Sequence, residues 1–293
     1  MPNLTDNVFD AVNQQATSLG SQNFLDRKVA EISNFYYTGF CVGELTCSVI
    51  RANDKRGRGF YFQPDITVTN ADLNLLKEIN LIIASNLGNI SPIKGGYNLK
   101  FRGKKKVEKV FQFIQNYPVI TGDLARRKLN LLKNILPAIG NSSKVLNREI
   151  VIEKCREDLK DLKLNGFDEE IIESNHFKND EIGFFLSGIN DAEGSCGFKK
   201  SGERLQPFFA VAMKDLKIIE LIRDFLDCGN IHVRTNDGLY HWETNKISDV
   251  LKVINIFTTK YPSKLQKMKD RMENVRRSLN DYTPRPRSFG EMI

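Results

Sequence analysis

Apolar residues at Leu73, Leu76, Ile79 and Leu81-Ile82-Ile83 recur with the spacing that lines one helix face. They predict a helix over Ala71 to Asn86, with Asn70 as its N-cap. Phe35 to Glu44 is apolar nearly all round, which predicts a short buried helix. Thr46 to Arg51 and Phe60 to Thr69 read as strands, joined by a turn that holds Gly57 and Gly59. Asn89 to Ile93 and Tyr97 to Phe101 form a second hairpin across Lys94-Gly95-Gly96. Helices follow over Lys105 to Asn116, ended by Tyr117-Pro118, and over Leu124 to Ile139. The same order returns later. Helices are predicted at Glu181 to Glu193, Asp215 to Leu226 and Lys246 to Thr259, and strands at Cys196 to Lys199, Phe208 to Met213, Asn230 to Arg234 and Leu239 to Thr244.

The repetition extends to individual residues. Tyr37 to Cys47 reads YTGFCVGELTC and Leu186 to Cys196 reads LSGINDAEGSC, with Glu44 and Glu193 in matching frames 149 positions apart (193 − 44). Asp72-Leu73 and Asp215-Leu216, Gly88-Asn89-Ile90 and Gly229-Asn230-Ile231, and the Tyr-Pro pairs at 117 and 261 follow in the same order. Four landmarks at nearly one offset indicate an internal duplication, with a period too long for a solenoid. The predicted fold class is α+β, as two pseudo-symmetric αββαββα half-domains, each with an antiparallel sheet. The expected organisation is an N-terminal arm over 1–30, a first domain over 31–140, a linker over 141–180, a second domain over 181–280 and a basic tail over 281–293. The linker carries a helix over Asn147 to Leu162, and a basic helix covers Lys264 to Leu279.

Each motif helix carries small residues four apart, Gly39 with Gly43 and Gly188 with Ala192. Small residues on one face let two helix backbones approach closely. If the motif helices pack on each other, Glu44 and Glu193 end side by side. Two close carboxylates repel, and a divalent cation relieves the repulsion. Oxygen ligands without His or Cys favour Mg²⁺, and such a site can hydrolyse a phosphodiester.

Charge and cysteine usage narrow the picture. The 293 residues suit two domains and carry a net charge of +7. The positive charge gathers in Arg51 to Arg58, in Lys94 to Lys106, and at Lys199, Lys200, Arg204 and Arg234. An open sheet face lined by such residues has the shape of a nucleic-acid groove. No apolar run is long enough for a membrane span, and Met1 to Leu25 reads as neither a secretory signal nor a transit peptide. Cys41, Cys47, Cys155, Cys196 and Cys228 are scattered, which suggests reduced, buried thiols. His176, His232 and His241 show no zinc-ligand spacing; His232 and His241 flank a hairpin.

With these residues in hand, GFCVGE and GINDAEGS resemble the motif of LAGLIDADG homing endonucleases, in particular the single-chain, two-motif type. The likeness runs over roughly positions 33 to 265. It implies a monomer whose two sheets form a DNA-binding saddle, with Mg²⁺ between Glu44 and Glu193 and both strands of a long duplex target cut. Ca²⁺ would bind without supporting cleavage. The resemblance makes the carbonyls of Gly43 and Ala192 further metal ligands. It asks for a basic catalytic residue after the fourth strand of each domain, for which Lys105 (or Lys104) and Lys246 are the nearest candidates. Base reading would fall to Arg51, Asn53, Arg58, Gln63, Lys100, Arg102, Lys199, Arg204, Arg234 and Asn236. The first motif departs from the family pattern, with Val42 for the usual Asp and Leu45 for the usual Gly. The alternatives are an intron RNA maturase, with group I intron RNA as partner, and a DNA-binding protein that does not cut. Intron-encoded relatives in organelle genomes suggest a mitochondrial or other organelle matrix.

Overall fold

The computed structural model of the chain describes residues 31–53, 60–139, 147–165, 176–202, 204–235 and 237–281. The first half runs α1 (Phe35–Glu44), β1 (Leu45–Asn53), β2 (Phe60–Asn70), α2 (Leu73–Ala84), β3 (Asn89–Ile93), β4 (Gly96–Arg102) and α3 (Lys104–Asn116). Two connecting helices follow, α4 (Asp123–Ile139) and α5 (Arg148–Asn165). The second half runs α6 (Asn179–Glu193), β5 (Gly194–Ser201), β6 (Arg204–Met213), α7 (Leu216–Leu226), β7 (Asn230–Val233), β8 (Tyr240–Thr244) and α8 (Ile247–Asn255), which continues as a π-turn over Ile256–Lys260. Helix α9 (Gln266–Asn280) closes the described chain. Each half is the expected αββαββα unit. The sheets are antiparallel and share one order, β1-β2-β4-β3 and β5-β6-β8-β7.

The landmarks of the duplication have local physical causes. Asn80 brackets Gly88, donating to its carbonyl at 3.1 Å and accepting from its N–H at 2.8 Å. At the matching place, Gly229 adopts φ +79, and a Cβ there would lie 2.5 Å from the Trp242 indole nitrogen, so only glycine fits. Trp242 is fully buried and donates to the Cys228 carbonyl at 2.8 Å.

Asn70 does not cap α2, as the sequence suggested. Asp72 does, accepting from the N–H groups of Asn74 and Leu75 at 2.9 and 3.0 Å. Asn70 instead accepts from the Asp72 N–H and turns its amide toward the end of α1.

Alternation sets the two faces of each sheet. Leu45, Cys47, Val49, Phe62, Ile66, Val68, Leu99 and Phe101 point into the helix-covered core. Helix α5 covers the edge strand β1, and Arg156 donates to the Val49 carbonyl at 2.9 Å. The thiols of Cys41 and Cys47 are buried and pushed up to about 12, chiefly by desolvation, which keeps them neutral.

Candidate active site at the seam of two motif helices

Helices α1 and α6 lie side by side and run in the same direction. Side chains do not separate them. A methyl group built on Gly39 would overlap the Phe185 carbonyl oxygen, and one on Gly188 would overlap the Tyr36 carbonyl oxygen. At the C-terminal end, a Cβ on Gly43 would stand 2.5 Å from the Cβ of Ala192, 3.1 Å from Glu193 Cγ and 3.5 Å from Glu193 Oε1. The small-residue positions thus set a backbone-to-backbone seam, and the chain delivers Glu44 and Glu193 to the same end of it.

That end is electrostatically costly by design of the sequence. Each helix terminates on a glutamate and has no basic residue in its last turn. The C-terminus of a helix already carries about half a negative charge. The last helical bonds run from the Leu45 N–H to the Cys41 carbonyl and from the Gly194 N–H to the Asn190 carbonyl. The carbonyls of Gly43 and Ala192 lie beyond them. Two carboxylates, two negative helix ends and late carbonyls therefore converge.

The two acids are not equivalent. Asn70 donates to Glu44 Oε1 at 3.0 Å. By strand register the counterpart of Asn70 is Met213, since Leu45 pairs with Val68 and Gly194 with Val211. Met213 has no donor to offer. Desolvation raises the Glu44 carboxyl and the Asn70 bond partly offsets it. Glu193 keeps one side open to water. Even so, surrounding protein and then the charge of Glu44 push its carboxyl up to about 7.

Basic groups flank the acids in two grooves. One is lined by Asn70, Ala192, Gly194, Lys267 and Arg271, the other by Gly43, Glu193, Lys128 and Lys214. The sequence reading missed these four cations because it looked after the fourth strand of each domain. Lys104 and Lys105 open α3, where the Gly103 N–H bonds the Pro64 carbonyl. Pro64 is six residues from Asn70 along β2, roughly 20 Å at ~3.3 Å per residue. Lys246 precedes α8 beyond Thr244, which pairs with Phe209, and it faces Asp249 at 3.7 Å. Lys105 and Lys246 therefore follow the ends of β4 and β8 that run away from Glu44 and Glu193, two strands across each sheet from β1 and β5. A usable signal was present: α4 and α9, which carry Lys128 and Lys267, each start a few residues after a Tyr-Pro landmark.

Asp191, two residues before Glu193, is buried at the wall of the groove that Ala192 and Gly194 line. It accepts from the Tyr36 hydroxyl at 2.6 Å, the Lys264 and Leu265 N–H groups at 2.7 and 2.8 Å, and the Ser263 hydroxyl. It is an anchor for the start of α9. Val42, its counterpart, lies instead near Gly122, and the N–H of Leu124 is bonded by Asp215 at 3.0 Å. The missing acid of the first motif is thus supplied from the other domain.

The remaining candidates divide by face. Gln63, Lys100 and Arg102 stand on the open face of the first sheet, and Lys199 and Arg204 on that of the second. Arg102 pairs with Asp65 at 2.9 Å, and Lys199 pairs with Glu243. Arg234 follows β7 and pairs with Asp237 at 3.0 Å. Arg51 and Asn53 were expected on the open face. They share strand parity with Val49 and belong to the helix side, where Arg51 covers the Phe60 ring at 3.5 Å and approaches Glu153 at 3.9 Å. Arg58 and Asn236 lie outside the described residues.

Two αββαββα halves joined through glycine-bearing helices, each ending in an acid at a shared seam, define the LAGLIDADG class of fold. Residues 186–273 match the family model described as LAGLIDADG endonuclease, which identifies a LAGLIDADG domain in the second half of the chain. Solved LAGLIDADG homing endonucleases share this two-domain fold. The homing endonuclease I-GzeII, solved in complex with its DNA target, aligns over 84% of this chain and 89% of its own, at 19% identity and TM-score 0.68. I-SmaMI bound to uncleaved DNA in the presence of calcium aligns over 86% and 94%, at 22% identity and TM-score 0.67. I-SmaMI bound to cleaved DNA aligns over 84% and 88%, at 20% identity and TM-score 0.69. No curated protein matches the chain. Among the described residues, no helix is long and apolar enough to cross a membrane.

Proposed function

We propose that this chain is a site-specific double-strand DNA endonuclease that hydrolyses phosphodiesters at the α1–α6 seam. The LAGLIDADG match and the fold shared with DNA-bound endonucleases support a DNA endonuclease. The observation that carries the reading is the convergence of Glu44 and Glu193 at adjoining negative helix ends. Packing has no use for that convergence; a cation does.

The donor set fits a hard divalent ion. Glu44 and Glu193 would hold it, with the Gly43 and Ala192 carbonyls beside them, and the nearby Cys41 stays a neutral thiol. Among the described residues no three His, Cys, Asp or Glu form a metal-holding group, so water and substrate phosphate would have to supply the remaining oxygens. When bound, Mg²⁺ supplies activation of water and neutralisation of charge on the leaving oxygen. Burial and the charge of Glu44 favour the protonated form of Glu193 near neutral pH, and a bound cation would favour its ionised form. Asn70 fixes the Glu44 carboxylate. Lys128, Lys214, Lys267 and Arg271 place positive charge along both grooves, where two strand phosphates would lie. One chain carries both acids, so a monomer suffices. The open sheet faces, with Gln63, Lys100, Arg102, Lys199 and Arg204, would meet the bases.

The test is cleavage of a randomised duplex library with Mg²⁺, and binding to the recovered target with Ca²⁺. The wild type should cut; Glu44→Gln and Glu193→Gln should each lose at least a hundredfold in cleavage while keeping binding within a few-fold. Tight binding of a group I intron RNA with no cutting of any duplex would overturn the reading in favour of a maturase.

A further inference from the structure

His232 on β7 and His241 on β8 are directly paired in register. Their neighbours Ile231 and Trp242 point into the core, so both imidazoles stand on the open face of the second sheet. His241 Nδ1 lies 2.9 Å from His232 Nε2, with ring centroids 4.6 Å apart and planes at 72°. On the other side of His241 the register partner is Ala212, whose methyl leaves room beside the ring.

Imidazole binds divalent metals at about 2.0–2.1 Å, so two cis nitrogens on a square or octahedral ion lie roughly 3.0 Å apart. The tetrahedral edge at the same bond length is roughly 3.3 Å. We propose that His232 and His241 form a two-nitrogen site for a transition-metal ion of square or octahedral preference, Cu²⁺ above Ni²⁺, with Zn²⁺ weaker. In the metal-free pair one ring donates its proton to the other. On chelation that ring moves its proton to the outer nitrogen, and both inner lone pairs turn to the metal; no proton is lost overall. Burial, then the neighbouring His232, hold the His241 imidazole below its ordinary range, which favours the neutral ring that a metal needs. The charged groups nearby largely answer each other: Glu243 pairs with Lys199, and Arg234 with Asp237. The site needs neither DNA nor the seam acids, so it stands or falls apart from the cleavage reading.

Trp242, next to His241 and the only tryptophan in the chain, reports on it. Cu²⁺ is titrated into untagged, DNA-free protein in a non-coordinating buffer at pH 7.5 while Trp242 emission is followed. Saturable one-to-one quenching is expected. His232→Ala and His241→Ala should each weaken it at least tenfold, His176→Ala should leave it unchanged, and metal-free emission spectra should confirm that the variants are folded. Quenching that survives both substitutions, or no quenching of folded wild type, overturns the site.

Discussion

Gly39 of α1 rests directly against the carbonyl of Phe185 on α6, with no room for a methyl group between them. The contact is backbone on backbone, so neither partner can rotate away. Gly39→Ala should therefore lower stability by about 3 kcal/mol, at the upper end of ordinary overpacking, because the helices must separate. Guanidinium denaturation measures the loss. Gly188→Ala, against Tyr36, should behave alike.

The raised carboxyl of Glu193 makes the metal-free protein less stable as pH rises. Its folded value, about 7, exceeds the ordinary carboxylate value of about 4.3. The favourable contribution of the protonated form is complete below the unfolded value and is lost as pH rises through about 7. In EDTA, Glu193→Gln should match wild type near pH 4 and exceed it at pH 8 by about 1 kcal/mol, after discounting for the water-open side of the group. Thermal melts at the two pH values decide it.

Glu78 behaves in the opposite sense. Burial alone would raise its carboxyl, but hydrogen bonds from Lys264 at 2.6 Å and Tyr37 at 2.5 Å outweigh it and hold the carboxyl low. Its contribution is present above the unfolded value of about 4.3 and fades as pH falls through the lower folded value. Glu78→Gln should cost about 0.5 kcal/mol at pH 7, as expected for a pair open to solvent, and nothing near pH 2. Urea titrations across that range measure it.

Asn190 is fully buried, and neither atom of its amide has a partner among the described residues. The matching residue of the first motif is Cys41, an apolar filler. Asn190→Cys should stabilise the fold by about 1 kcal/mol, since it removes an unsatisfied buried amide at little change in volume. Chemical denaturation at fixed pH checks the sign.

Much of the fold was legible because both halves obey simple periods. Phe35–Glu44 and Asn89–Ile93 form the elements their patterns predict, with those bounds. The pairing of Glu44 with Glu193 was legible too, because Gly39, Gly43, Gly188 and Ala192 announce a close helix contact. What lay beyond the one-dimensional pattern was strand parity and distance across a sheet. Arg51 looked like a groove residue from charge alone, yet an odd number of steps from the open face turns it toward α5. Lys105 follows the fourth strand in the chain, but β4 runs away from Glu44, so sequence adjacency to the sheet says nothing about nearness to the acid. Lys267 and Lys214 are brought in by helix and strand ends whose packing only three dimensions reveal.

A seam made of peptide groups has consequences for how such a molecule changes over generations. The gap between its paired carboxylates is inherited from main-chain geometry, which substitutions in the surrounding cores barely touch. Under the proposed function, the outward sheet positions could therefore drift to new nucleotide preferences while that gap stays put.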